Sequence, residues 1–232
     1  MSEVHHLKND LVIFCCFPQE PCYNTNRMEE MTENKNISVM LCSVGDAYYS
    51  GLGMKSNHKE AMRFYRKAAS LGNSYAMFRM GECYENGTGT DKDTEEAFQY
   101  YQKSAETGCI PGMLKVGDYY WSGMDGIVAQ SKEKAAQWYL QALKKNDAQE
   151  ESLDEPFVYV RIADCMKDGI GMEKNLQAAH ELYQAAVEDM MDIMPYDRMF
   201  DYSMLERAEK GEEELRSKLH LPKSEPVGEL IS

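Results

Sequence analysis

The sequence predicts an all-α protein: a superhelical solenoid of about four helix-turn-helix repeats closed by a C-terminal helix. Three observations predict it. A frame of small and aromatic residues recurs at a fixed period, apolar residues inside each copy follow helical spacing, and glycines and capping residues punctuate every copy at the same places. The frame is clearest at Ala76, Met80-Gly81, Tyr84, Gly87-Thr88-Gly89, Ala97, Tyr100-Tyr101 and Ser104-Ala105. It appears upstream at Val44-Gly45, Tyr48, Gly51-Leu52-Gly53, Ala61, Phe64-Tyr65 and Ala68-Ala69, and downstream at Val116-Gly117, Tyr120, Gly123, Gly126, Ala135, Trp138-Tyr139 and Ala142. A looser fourth copy reads Ile162-Ala163, Met166, Gly169-Ile170-Gly171, Ala179, Leu182-Tyr183 and Ala186. The leading glycines at 45, 81 and 117 set a period of 36 residues, and the fourth copy starts 46 residues after the third.

Taken in order, residues 1–36 stand outside the frame. Leu11–Phe17 is apolar but far shorter than the roughly 20 residues a membrane helix needs, and Pro18-Gln19-Glu20 follows where a signal peptide would carry small residues. The expectation is a loosely ordered leader whose apolar run packs on the first repeat. Residues 37–193 hold the four repeats, with helix pairs expected at 38–50/58–71, 74–86/94–107, 111–122/132–145 and 156–168/176–189. In each, a first helix (helix A) carries its apolar stripe beside the leading glycine, which permits close approach of a neighbour. The first glycine of the G-x-G then ends helix A, because glycine accepts the left-handed conformation. Helix B opens at Asn57, Asp93, Ser131 and Asn175, each able to accept a bond from an orphan backbone N–H. Lys144–Glu155 reads as a surface loop. Residues 194–221 read as a capping helix with Met199, Tyr202, Leu205, Ala208, Leu215 and Leu219 on one side, and residues 222–232 as a tail.

Composition narrows the function classes. Acidic residues outnumber basic ones 39 to 25, for a formal charge of −14, which disfavours a nucleic-acid phosphate backbone or an anionic lipid surface as partner. The seven cysteines show no paired spacing from repeat to repeat, so a reducing, cytoplasmic setting fits better than a disulfide framework. The G-x-G stretches follow helices rather than strands, so they are helix stops and not phosphate cradles. Cys83 and Cys165 occupy equivalent helical positions and read as small buried residues. Cys15, Cys16 and Cys22 with His5 and His6 are the one group that could hold a metal, though without the usual C-x2-C or H-x3-H spacing. No cofactor is expected, and an enzyme would need a pocket that the repeats do not advertise.

The pattern Ala-x3-(Met/Val)-Gly-x2-Tyr-x2-Gly-x-Gly followed by Ala-x2-(Trp/Phe)-Tyr-x2-Ala-Ala, kept best in the first two copies, resembles the Sel-1-like repeat, a relative of the tetratricopeptide repeat. The resemblance covers about residues 38–189. It implies a right-handed α/α superhelix and a non-catalytic adaptor or scaffold for other proteins.

One feature exceeds packing. The residue after the leading glycine, or after Ala163, is acidic every time: Asp46, Glu82, Asp118 and Asp164. Counted from that glycine, positions −6, −3, +1 and +4 share a helix face, and in related tetratricopeptide arrays this face lines the inner groove. It would present Val39, Cys42, Asp46 and Tyr49; Tyr75, Phe78, Glu82 and Glu85; Pro111, Leu114, Asp118 and Trp121; Phe157, Val160, Asp164 and Lys167. The candidate binding residues are therefore Asp46, Tyr49, Tyr75, Phe78, Glu82, Leu114, Asp118, Trp121, Phe157 and Asp164. The expected occupant is an extended, partly apolar, net basic segment of another protein. A metal- or thiol-linked sensor built on the N-terminal cysteines is the alternative, and an enzyme a third. Against any ligand stands a simpler expectation. Arg79, Lys115 and Arg161 lie three residues before Glu82, Asp118 and Asp164, where each could pair within its own helix.

Overall fold

The computed structural model describes residues 25–146, 155–193 and 202–222. Among these residues the elements are α1 (Thr25–Ser50), α2 (His58–Ser70), α3 (Ser74–Asn86), α4 (Thr94–Glu106), α5 (Ile110–Ser122), α6 (Lys132–Asn146), α7 (Glu155–Asp168), α8 (Leu176–Ile193) and α9 (Tyr202–Lys218). An isolated bridge between Met124 and Val128 is the one β-type pairing among them, and it lies in the insertion of the third repeat. Helix bounds in the four pairs agree with the periodicity to within a residue except at the end of α8, which runs on to Ile193 past the expected 189, and at the start. There α1 begins at Thr25 rather than near residue 38, so it extends well ahead of the repeat frame. The expected Lys144–Glu155 loop falls largely, and the start of the capping helix wholly, outside the described residues.

Local chemistry accounts for the breaks. The side chains of Asn57, Asp93, Ser131 and Asn175 accept from the backbone N–H of Glu60, Glu96, Lys134 and Ala178 at 3.2, 3.0, 3.3 and 3.0 Å, so all four expected N-caps form. Gly87 takes a left-handed conformation after α3 and closes it with a bond from its N–H to the Cys83 carbonyl.

Packing sorts the helices into two layers. Each helix packs on the next along the chain, and α9 packs on α8 and α7, where a further helix A would stand. The B helices α2, α4, α6 and α8 send Ala61, Ala97, Ala135 and Ala179, then Tyr65, Tyr101, Tyr139 and Tyr183, into full burial. Stripping a ring of this size of water is a large share of each repeat's stabilisation. The small residues beside the rings allow helices A and B to close on each other.

Candidate partner-binding face

The glycine-acid pair at the centre of helix A in repeats 1, 2 and 3 has a geometric cause. The Tyr65 ring of α2 lies across Gly45 so closely that a Cβ there would stand 2.6 Å from the ring. At Gly81 the Tyr101 ring would be met at 2.5 Å, and Tyr139 crosses Gly117 in the same way. The glycine thus lets a tyrosine of helix B pass over helix A, and in repeats 1 and 3 the acid one residue on receives its hydroxyl. Tyr65 Oη donates to Asp46 Oδ1 at 2.7 Å and Tyr139 Oη to Asp118 Oδ1 at 2.7 Å. In repeat 4 Ala163 replaces the glycine, yet Tyr183 still donates to Asp164. There the close approach is supplied from the other side by Gly211 of α9.

The acids are then joined to the next repeat. Arg79 of α3 reaches back to Asp46 of α1, with Nε 3.1 Å from Oδ1. Arg161 of α7 grips Asp118 of α5 with both nitrogens, Nε at 2.8 Å and Nη2 at 2.5 Å, a fork matched to a carboxylate. Arg207 of α9 pairs with Asp164 of α7. Repeat 2 uses a different acid. Glu85, one turn beyond Glu82, accepts from Tyr101 Oη at 2.9 Å, Tyr119 Oη at 3.1 Å and Lys115 Nζ at 2.9 Å. A ribbon of tyrosine, carboxylate and cation therefore runs along the A helices from α1 to α9.

This corrects the expectation of pairing within single helices. Arg79 does meet Glu82, at 2.6 Å. Lys115 instead turns to Glu85 and Arg161 to Asp118, each in the preceding repeat. Two residue classes that carry the ribbon were absent from the expected site: the helix-B tyrosines, and the cations acting across repeats. A signal for the tyrosines was present. They follow the leading glycine, or Ala163, by 20, 20, 22 and 20 residues.

The electrostatics follow the contacts. Burial opposes ionisation of Asp118, but Arg161 and the Tyr139 hydroxyl outweigh it and hold the carboxyl below the usual carboxylate range. Glu85 is held low in the same sense: burial is outweighed by Lys115 and by the hydroxyls of Tyr101 and Tyr119. Glu82 goes the other way, since burial raises it and Arg79 offsets this only in part. Burial pushes the Cys83 thiol up to about 11 and Cys42 up to about 12, as for inert core thiols.

The other expected binding residues divide by burial. Phe78 (9% exposed) and Leu114 (5%) sit in the core, whereas Tyr75 is 43% exposed. Tyr49 is half-buried beneath the Arg79 guanidinium, 4.4 Å from its ring centre. Trp121 and Phe157 are partly buried against the central core. Cys15, Cys16, Cys22, His5 and His6 lie outside the described residues. Among the described residues no group of three or more His, Cys, Asp or Glu is placed to hold a metal, and no helix is long and apolar enough to cross a membrane.

The Sel1 repeat model matches residues 39–73, 74–109, 110–147 and 157–189, more than half of the chain. The chain belongs to the Sel1 repeat family. The glycine-acid pairs and helix-B tyrosines described above thus fall inside four Sel1 units. The fold is also that of a solved Sel1 repeat protein from Oxalobacter formigenes, 24% identical over 80% of this chain and 78% of that one, with a TM-score of 0.56. A protective antigen of uropathogenic Escherichia coli, c5321, overlaps more loosely: 19% identity, 82% and 57% coverage, TM-score 0.46. So does Helicobacter pylori cysteine-rich protein B, with 22% identity, 50% and 89% coverage and a TM-score of 0.40. Comparison with curated proteins finds no match. Sel1 arrays commonly act as protein–protein interaction scaffolds.

Proposed function

We propose that this Sel1 chain is a non-catalytic adaptor whose row of A helices holds an extended, partly apolar, net basic segment of another protein. The observation that carries the reading is how the ribbon acids are held. Tyrosine hydroxyls and arginines fix them from within, while Asp46 keeps 41% of its side chain, and Asp118 31%, open to solvent. Carboxylates held in place beside an exposed Tyr75 form a preorganised surface, which lowers the ordering cost of binding. The net charge of −14 would draw a basic segment and reject an acidic one. Four A helices about 10 Å apart offer about 30 Å, enough for roughly nine extended residues. The buried free thiols Cys42, Cys83, Cys109 and Cys165 support a cytoplasmic setting.

The test uses nine-residue peptides that alternate apolar residues with Lys or Arg, labelled and titrated with the full chain by fluorescence anisotropy. Binding that weakens with salt, and that Tyr75→Ala reduces while circular dichroism stays unchanged, supports the reading. Tyr75 is the better probe than Phe78, whose removal would open the core. Equal binding of acidic and basic peptides, or indifference to Tyr75→Ala, removes the A-helix face from consideration.

A further inference from the structure

The two ends of the array are built differently. In repeats 2, 3 and 4 the helix-A positions five and one before the leading glycine are closed off by the preceding helix B. They are Ala76 and Met80, Gly112 and Val116, and Val158 and Ile162, all buried. Gly112, for example, lies directly against Ser104 and Ala105 of α4. At the C-terminal end α9 repeats the arrangement, burying Met204 and Ala208, and turns a charged face with Glu206, Glu209 and Glu213 outward. At the N-terminal end the same positions of α1 are Met40 and Val44, which are 68% and 38% exposed, with Ile37 exposed one turn before them. No matched repeat lies ahead of residue 39 to cover them.

We propose that Leu11–Phe17 of the same chain folds back onto this stripe, in the place where each later helix A receives the preceding helix B. The stripe lies on a different side of α1 from the A-helix face that carries Asp46. Three facts select this occupant. Leu11–Phe17 is an uncharged apolar run, complementary to Ile37, Met40 and Val44. Pro18 and Pro21 stand between it and α1, where they prevent one continuous helix and favour a change of chain direction. The tether also reaches. Met40 is fifteen residues into α1 from Thr25, about 22 Å along the axis, and the eight steps from Phe17 to Thr25 span up to about 26 Å when extended. Being tethered, the segment meets the stripe at high effective concentration, ahead of any partner in solution.

The test is made on the full chain. Met40→Cys is introduced and the dilute protein is mildly oxidised. A disulfide within the chain, from position 40 to Cys15 or Cys16 by peptide mapping, is the expected result, with Glu95→Cys on α4 forming none. A link between two chains would overturn the proposal in favour of a second copy on the stripe, and no link at position 40 would overturn it outright. A second readout leaves α1 unaltered. Phe14→Asp should raise the rate at which peroxide oxidises Met40 several-fold, measured by mass spectrometry. An unchanged rate would show that the segment does not shield the stripe.

Discussion

Asp118 and Glu82 occupy the same place in successive repeats and have opposite energetics. Asp118 is served by Arg161 and Tyr139, and its folded pKa lies below the ordinary 3.8. A depressed carboxyl contributes stability that is complete above the unfolded value and is lost as pH falls through the folded one. Asp118→Asn should therefore cost about 1.5–3 kcal/mol at neutral pH, in line with hydrogen bonds to charged groups. The gap between wild type and variant should close as pH drops below about 3.8, as urea unfolding at a series of pH values would read. Among the described residues Glu82 is in direct contact with Arg79 and feels Lys115 only at longer range, and burial raises its carboxyl above the ordinary 4.5. Its contribution is fuller at acid pH and declines as pH rises through the folded value. Glu82→Gln should thus lose less than Asp118→Asn in the same titration at pH 7. A larger loss would mean that Glu82 has a partner beyond Arg79.

Within each helix pair, the glycine and the tyrosine act as one device. An isolated helix would gain about 1 kcal/mol from replacing a mid-helix glycine with alanine. At Gly81 the new methyl would meet the Tyr101 ring at 2.5 Å, and overpacking a filled site costs about 1–3 kcal/mol. Gly81→Ala is expected to lower the thermal midpoint despite the propensity gain, and to disturb the Tyr101 hydroxyl bond to Glu85. A raised midpoint would show that the ring has room to move. Ala105, 2% exposed on α4, offers a second measure of close approach. Ala105→Leu should cost about 1–3 kcal/mol by the same reasoning, and an unchanged midpoint would count against tight packing there.

Across the whole molecule, neighbouring repeats are coupled by side chains as well as by apolar contact. In a solenoid, stability is close to a sum of unit terms and nearest-neighbour interface terms. Arg161→Met strikes one interface, leaving Asp118 with Tyr139 while keeping apolar bulk between α5 and α7. The expected outcome is a broader urea transition with a lower slope, because repeats 1–3 lose part of their coupling to repeat 4 and α9. Circular dichroism against urea would read it, and a parallel shift with unchanged slope would show that packing alone carries the coupling. Partner binding belongs to this scale too. If the A-helix face is the site, converting Glu82 and Asp118 together to their amides should flatten the salt dependence of peptide binding more than it weakens the affinity.

The repeats, their helical nature and their punctuation could be read from the order of residues alone. These are local matters: a 3.6-residue stripe, a side-chain oxygen at an N-cap and a glycine at a left-handed turn act within a few residues of one another. That is why Asn57, Asp93, Ser131 and Asn175 cap as expected and why Gly87 ends α3. The acidic ladder was equally legible as a pattern. Its partners were not, because Arg161 stands three residues before Asp164 and 43 after Asp118, and spacing alone favours the nearer acid. Only the stacking of α7 beside α5 placed the guanidinium against Asp118, while Arg207 arrived from α9 to take Asp164. Exposure was decided in the same way. Phe78 and Tyr75 share a short stretch of α3 and both read as surface aromatics, but neighbouring helices close over the first and leave the second open. A side chain's burial depends on what packs against its helix, and that is a property of the assembled array.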